Sequence, residues 1–208
     1  MSSTSAKVDV RIKSRWFKEG RNHTPEELAG SVAFVIWRIA DNALKNTRKA
    51  NFGIAVGAQY FAFLAEFLIF LIQVADRIVF RRLSAEDRTG FTGILANRVA
   101  ETYAENRSRL LGGSPEETKQ RFIDQVNQRA DGYADFDYDE DGPAFNFTRY
   151  LGYCMNQVMD EQDSRWVVDQ MMSIEAPEAV GMIDKTLRNL LDTEPRQPRR
   201  HAAATGGD

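Results

Sequence analysis

The residues with the clearest chemical spacing are three aspartates in an acidic turn. Asp137, Asp139 and Asp141 alternate along the sequence DFDYDEDG and are followed by Gly142. Alternating carboxylates on a sharply turning backbone can converge on one hard cation, as in the first half of a helix-loop-helix calcium site. The turn therefore predicts a metal site made of these three aspartates.

The second half of this segment departs from the calcium pattern. Thr148 occupies the position where such a loop carries a bidentate glutamate, and Pro143 directly follows the glycine. Because the strongest ligand is missing, weak Ca²⁺ binding is the one cofactor that the sequence suggests. The alternative is a solvated acidic turn in which the side chains of Phe136 and Tyr138 point inward.

The rest of the chain offers few catalytic groups. Neither of the two histidines, His23 and His201, follows a glutamate by three residues, which excludes a di-iron Glu-x-x-His pair. Both lie outside the predicted helices, so no core histidine is available to activate a nucleophile. The single cysteine, Cys154, lies in an apolar helical segment and is expected to be a small buried residue. These features favour a non-enzymatic protein.

One apolar segment must organise the fold that positions these residues. Phe52–Ala75 reads FGIAVGAQYFAFLAEFLIFLIQVA, and a helix formed by it is apolar on nearly every side. Such a helix requires either a bundle interior or a lipid bilayer around it. Glu66, near its middle, costs roughly 3 kcal/mol in lipid and is easier to place in a core that supplies a cation. We therefore expect a bundle core, with the bilayer as the alternative.

The preceding helix offers a cation for Glu66. Polar residues recur every seven positions along both helices: Gln59, Glu66 and Gln73 on one, and Ser31, Arg38 and Lys45 on the other. An antiparallel hairpin that turns at Asn51–Gly53 places Arg38 level with Glu66. We predict that Arg38 neutralises Glu66 in a structural ion pair, because a buried charge needs a hydrogen-bonded partner. The alternative is that both stripes face water.

Helix signals divide the remaining chain. Thr24-Pro25-Glu26-Glu27 and Ser114-Pro115-Glu116-Glu117 each provide an N-cap residue, a first-turn proline and a capping-box glutamate. A fifth helix is predicted over Pro143–Ile174, where the polar run Asp160–Arg165 can break it, and a last helix begins at Pro177. The aromatic residues and methionines of the fifth helix are expected to be core: Phe145, Phe147, Tyr150, Tyr153, Met155, Met159, Trp166, Met171 and Met172.

The predicted fold class is all-α: a single-domain bundle of about six helices built around a central hydrophobic helical hairpin, residues 25–83. The bundle domain covers residues 24–191, between a basic N-terminal arm, 1–23, and a disordered tail, 192–208. The basic arm alternates apolar residues with bases over Lys7–Arg21. It either packs along its own bundle or contacts a membrane surface or an acidic partner.

Cysteine usage and the position of the first apolar run indicate the compartment. One cysteine excludes an internal disulfide, and the first apolar run begins after residue 27, too late for an ordinary secretory signal. The expected location is the cytoplasm, with the cytoplasmic face of a membrane as the alternative.

The expected function is a structural or interaction role through protein–protein contacts, with a protein partner or a homo-oligomer. One alternative is a membrane-associated protein with helix 54–80 in the bilayer and the basic arm on anionic headgroups. A second is a weak calcium-binding helix-loop-helix protein, and an enzyme that uses carboxylates or a bound cofactor also stays open. The net charge of −3 excludes no partner class by itself, although a nucleic-acid partner is not expected.

Overall fold

The structure is an all-α bundle. This computed structural model describes residues 24–49, 57–159 and 164–192. The helices are α1 Pro25–Lys49, α2 Ala58–Phe80, α3 Ala85–Leu111, α4 Pro115–Ala134, α5 Phe145–Val158, α6 Ser164–Gln170 and α7 Ala176–Leu191, with a π-helical turn, Met171–Glu175, between α6 and α7. Since α6, the π-helical turn and α7 are continuous, the described residues form six helical rods, which confirms the predicted class.

Hydroxyl side chains start the helices where the sequence predicts them. At the start of α1, the backbone N–H of Glu27 donates to Thr24 Oγ1 at 3.2 Å, and the Thr24 N–H donates to Glu27 Oε2 at 3.3 Å. At the start of α4, Ser114 Oγ accepts from the N–H of Glu117 at 3.3 Å. These bonds satisfy N–H groups that no helical carbonyl can reach.

α2 is the central helix of the bundle. It contacts α1, α3, α4, α5 and α7, and every residue from Phe63 to Asp76 is buried. Other helices of the same chain therefore cover the apolar segment. Among the helices of residues 24–49, 57–159 and 164–192, none qualifies as a membrane span.

Several predicted features lie outside the described residues. These are the basic arm 1–23, the hairpin turn Asn51–Gly53 with the first part of the predicted helix 54–80, and the tail from residue 193 onward. The described part of the hairpin consists of α1 and α2, which contact each other along the bundle.

The predicted pair between Arg38 and Glu66 is wrong. Arg38 is exposed, and its guanidinium carbon lies 5.8 Å from the centre of the Phe34 ring on the same helix. The helical period explains this position, because Ile36 and Ala40 are both fully buried. Arg38 is two residues away from each of them, which places it about 200° around the helix. Its side chain therefore faces away from the core.

Arg129 of α4 is the cation that neutralises Glu66. Its Nε donates to Glu66 Oε2 at 3.0 Å, and its Nη2 donates to Oε1 at 2.6 Å. Gln125 Nε2 adds a third bond to Oε1 at 2.9 Å. Glu66 is only 2 % exposed, so the paired guanidinium and the amide supply the contacts that water would otherwise make.

The two polar stripes therefore have different environments. Glu66 and Gln73 of α2 are buried, whereas Arg38 and Lys45 of α1 are exposed. The stripes do not face each other, as the first prediction had it. They do not both face water either, because only the stripe on α1 is exposed.

The assignment of Arg129 predicts a specific pattern of stabilities. Arg129→Gln leaves a buried carboxylate without its cation and should lower the free energy of unfolding by about 3 kcal/mol. Arg38→Gln should change it by less than about 0.5 kcal/mol, because an exposed side chain is removed. Urea unfolding followed by tryptophan fluorescence measures both variants. Combined with Glu66→Gln, the Arg129 change should be non-additive and the Arg38 change additive; the opposite pattern would contradict the pair.

The helical rod runs through Pro177, since α7 begins at Ala176 directly after the π-helical turn. Proline lacks an N–H, and its ring collides with the carbonyl four residues earlier in an ordinary α-helix. The π-helical turn directly before Pro177 changes this geometry, because the Ala176 N–H donates to the carbonyl of Met171, five residues back. α7 therefore begins one residue before the predicted start at Pro177, and it follows the π-helical turn without a break. α5 ends at Val158 and α6 begins at Ser164, so the region of the predicted fifth helix contains two helices; of the polar run, residues 160–163 lie outside the described residues and Ser164 and Arg165 belong to α6.

Glu175, the last residue of the π-helical turn, is buried with 4 % of its surface exposed. Gln170 Nε2 donates to its Oε1 at 3.1 Å. Burial raises the pKa of Glu175, while hydrogen bonds with the side chains of Gln170 and Asn46 oppose the increase. Because these partners are neutral, they only partly compensate for the loss of water around the carboxylate.

Glu175→Gln removes this buried charge and can still accept the bond from Gln170. We expect the free energy of unfolding at neutral pH to rise by about 1 kcal/mol. The gain should shrink as the pH falls through the raised pKa, because the folded wild-type protein then takes up a proton that the unfolded chain does not bind. Urea unfolding at neutral and mildly acidic pH measures this difference.

Glu105→Gln is the matched control, because Glu105 is an exposed glutamate on α3. It should show no comparable pH-dependent gain. A loss of stability in Glu175→Gln at neutral pH would contradict an energetic cost of burying the charge.

Candidate functional site

The acidic turn is held by its own backbone. Asp139 and Gly142 exchange two bonds, with the Asp139 N–H donating at 3.0 Å and the Gly142 N–H at 3.3 Å. Gly142 has a φ of 116°, a conformation that glycine adopts without steric cost. Asp139 Oδ1 also accepts from the Asp141 N–H at 2.9 Å, so one carboxylate oxygen is used to close the turn.

The predicted metal site of Asp137, Asp139 and Asp141 is not formed. In the part of the chain that the structure describes, no group of three or more His, Cys, Asp or Glu side chains is arranged to hold a metal ion. All three aspartates are exposed. Asp137 and Asp139 flank Tyr138, which forms an isolated bridge with Pro143, whereas Asp141 lies in the bend that closes the turn.

The inward positions of the turn are aromatic. The Tyr138 ring lies 5.5 Å from that of Phe147, and the Phe136 ring lies 5.7 Å from that of Tyr150, measured between centroids. Both turn residues are partly buried and pack against the core. This confirms the alternative prediction of an acidic turn with Phe136 and Tyr138 directed inward.

Cys154 lies in the polar cluster around Glu66. The thiol is fully buried, and Glu66, Arg129 and Tyr150 are close enough to affect its pKa. Burial, followed by the negative charge of Glu66, raises the pKa of Cys154 to about 11. The thiol therefore stays protonated at neutral pH, and a protonated thiol is a poor nucleophile. The predicted burial of Cys154 is confirmed.

The outer side of α5, with the adjoining helix α6, is the strongest candidate contact surface. Phe145 is 71 % exposed, Tyr153 is 59 % exposed and Trp166 of α6 is 67 % exposed. Arg149 is also exposed and lies between Phe145 and Tyr153 in four-residue steps, which place all three on one side of α5. We refer to Phe145, Arg149, Tyr153 and Trp166 as the aromatic face.

Close packing on both flanks fixes α5 in place. A Cβ atom added to Gly152 would lie 2.7 Å from Met172 Sδ, and one added to Gly132 of α4 would collide with the Tyr150 hydroxyl. Tyr150 in turn stacks on Tyr153, with ring centroids 6.0 Å apart and planes 17° apart. The Tyr153 ring therefore packs on the Tyr150 ring, which itself packs against α4.

The aromatic face corrects the expectation that every aromatic residue of this region is core. Phe147, Met155 and Met171 are fully buried as predicted, whereas Phe145, Tyr153 and Trp166 are exposed. The sequence signal is Arg149, since a charged residue in line with two aromatics marks a solvent-facing side of the helix.

Comparisons with protein-family models, with curated proteins and with solved structures found no match. The proposed function therefore depends on the geometry of the molecule.

Calcium is expected to leave the stability of the protein unchanged at millimolar concentrations, because the aspartates of the acidic turn point outward and do not form a ligand cluster. Thermal melting in calcium chloride, compared with magnesium chloride at equal ionic strength, measures this. A calcium-specific rise in Tm that Asp139→Asn abolishes would instead support the predicted metal site.

Proposed function

We propose that this chain is a non-enzymatic helical protein that binds another protein through the aromatic face. The observation that carries the proposal is the exposure of Phe145, Tyr153 and Trp166 on two helices that contact each other. These side chains are largely exposed even though α5 and α6 each bury their opposite side in the core.

Burial of exposed aromatic side chains supplies the driving force for association. Each large apolar side chain transferred from water contributes on the order of 2 kcal/mol. Tyrosine, tryptophan and arginine are also the residues that most often dominate the energy of protein interfaces. The aromatic face combines all three types on the neighbouring helices α5 and α6, and the close packing of α5 limits the entropy lost on binding.

The chemistry of the aromatic face defines the partner. It requires apolar surface against the aromatic rings and an acidic group against Arg149. A second copy of the chain offers both the apolar surface and the acidic group. Its own aromatic face supplies the apolar surface, and Asp169, exposed on α6 three residues after Trp166, supplies the carboxylate. In a two-fold contact, Arg149 of each copy can meet Asp169 of the other. We therefore propose self-association as the first binding mode to test.

This interface differs from the one expected from the sequence, in which subunits bury part of the apolar hairpin. Phe63–Asp76 of α2 is already buried within a single chain, so it needs no second subunit. The bilayer alternative for helix 54–80 gains no support from α2 for the same reason.

The double variant Tyr153→Ser/Trp166→Ser should reduce self-association at least about tenfold, since two aromatic anchors are lost. Sedimentation velocity over a concentration series measures the association constant. Phe34→Ser/Leu110→Ser, which removes two exposed apolar residues from α1 and α3, is the matched control and should leave association unchanged.

A photo-crosslinking amino acid at position 153 distinguishes self-association from binding to a different protein. It should give discrete crosslinked species in cells, whereas the same group at position 34 should not. If positions 153 and 34 crosslink alike and the purified protein stays monomeric at all concentrations, the proposed function is wrong.

A further inference from the structure

A cleft of about 490 Å³ lies between the C-terminal end of α2, the acidic turn and α7. This volume falls within the range of small-molecule sites, roughly 300–1,000 Å³. The charged residues that line it are Arg77, Arg81, Arg82, Arg188, Asp139, Glu140, Asp141 and Asp184. The cleft lies apart from the aromatic face and shares no lining residue with it.

Three of the four arginines have a carboxylate partner, and two of these pairs are close. Arg188 Nε lies 2.7 Å from Asp184 Oδ2, one turn earlier on α7. Arg82 Nη1 lies 2.9 Å from Asp192 Oδ1, just after the end of α7. These pairs offset the charges of Arg82 and Arg188.

The other two arginines bind backbone carbonyls. Arg77 Nη2 donates to the carbonyl of Tyr133 at 2.9 Å, and Arg81 Nη2 donates to that of Tyr138 at 3.1 Å. A carbonyl fixes the guanidinium but does not neutralise it, and each guanidinium has five N–H donors. The nearby Glu140 lies 3.9 Å from Arg81 with a side chain that is 93 % exposed, so its attraction is weak.

The geometry points to a binding site for a small molecule that carries a carboxylate or phosphate group. We propose that this anionic group bridges Arg77 and Arg81, which lie one helical turn apart on α2 and line the same cleft. The backbone carbonyls hold both guanidinium groups in place before the ligand arrives, and planar guanidinium groups bind oxyanions through paired bonds. Asp139, Glu140 and Asp141 at the edge of the cleft disfavour extended polyanions such as nucleic acid.

Titration with inorganic phosphate and, separately, with acetate tests the site at constant ionic strength maintained with chloride. Amide chemical shifts of the cleft residues report occupancy. We expect saturable binding of at least one of the two anions, and the preferred anion identifies the ligand as phosphorylated or carboxylated. Shift changes that do not saturate, or that chloride alone reproduces, reflect screening and overturn the proposal.

Three variants assign any binding to the cleft. Arg81→Gln should weaken anion binding about tenfold, because a charged hydrogen-bonding group is lost. Glu140→Gln should strengthen it about twofold, because a nearby negative charge is removed from a fully accessible side chain. Arg121→Gln, on the exposed side of α4, is the control and should have no effect.

Arg81→Gln should weaken anion binding and Glu140→Gln should strengthen it. The Glu140 variant therefore still tests the site if Arg81→Gln also disturbs the acidic turn. Glu140→Gln alters only an exposed side chain and should leave the fold intact. Equal binding by wild-type protein, Arg81→Gln and Glu140→Gln would overturn the site.

Discussion

The bundle depends on a charge placed in the middle of its most apolar helix. Glu66 can be buried in α2 only because Arg129 and Gln125 of α4 bond both of its oxygens. A buried pair of this kind adds little net stability compared with an apolar core, since desolvation offsets the attraction. It penalises arrangements that leave either charge alone, and we infer that it fixes how α4 lies against α2.

The same pair connects the core to the surface. The charge of Glu66 acts on the buried thiol of Cys154 in α5, and Tyr150, one turn before Cys154, fits against Gly132 of α4. Tyr150 also stacks on Tyr153, which belongs to the aromatic face. The Tyr153 ring is therefore supported through Tyr150 by the packing of α5 against α4.

Local sequence signals predicted the elements well, whereas long-range partners were harder to predict. Neighbouring residues in the sequence determine three of the features that were predicted correctly. These are the cap at Thr24, the central position of α2 and the inward direction of the aromatic residues in the acidic turn. The partner of Glu66 depends on which helices pack together. Arg129 did carry a signal, because it is aligned with the apolar residues Phe122, Val126 and Tyr133 on the buried side of α4. The heights of Arg38 and Glu66 along an antiparallel hairpin do not determine which side of α1 faces the core.

The π-helical turn also has a consequence for the phase of the last helical rod. Buried apolar residues occur at Val167 before it, at Met171 where it begins, and at Ala176, Ala179, Ile183 and Leu187 after it. The step from Met171 to Ala176 is five residues long, whereas the later steps are three or four. The π-helical turn thus accommodates one additional residue. Deleting that residue would rotate α7 by about 100° relative to α6. Ile183 and Leu187 would then leave the core, so the register of α7 depends on this single additional residue.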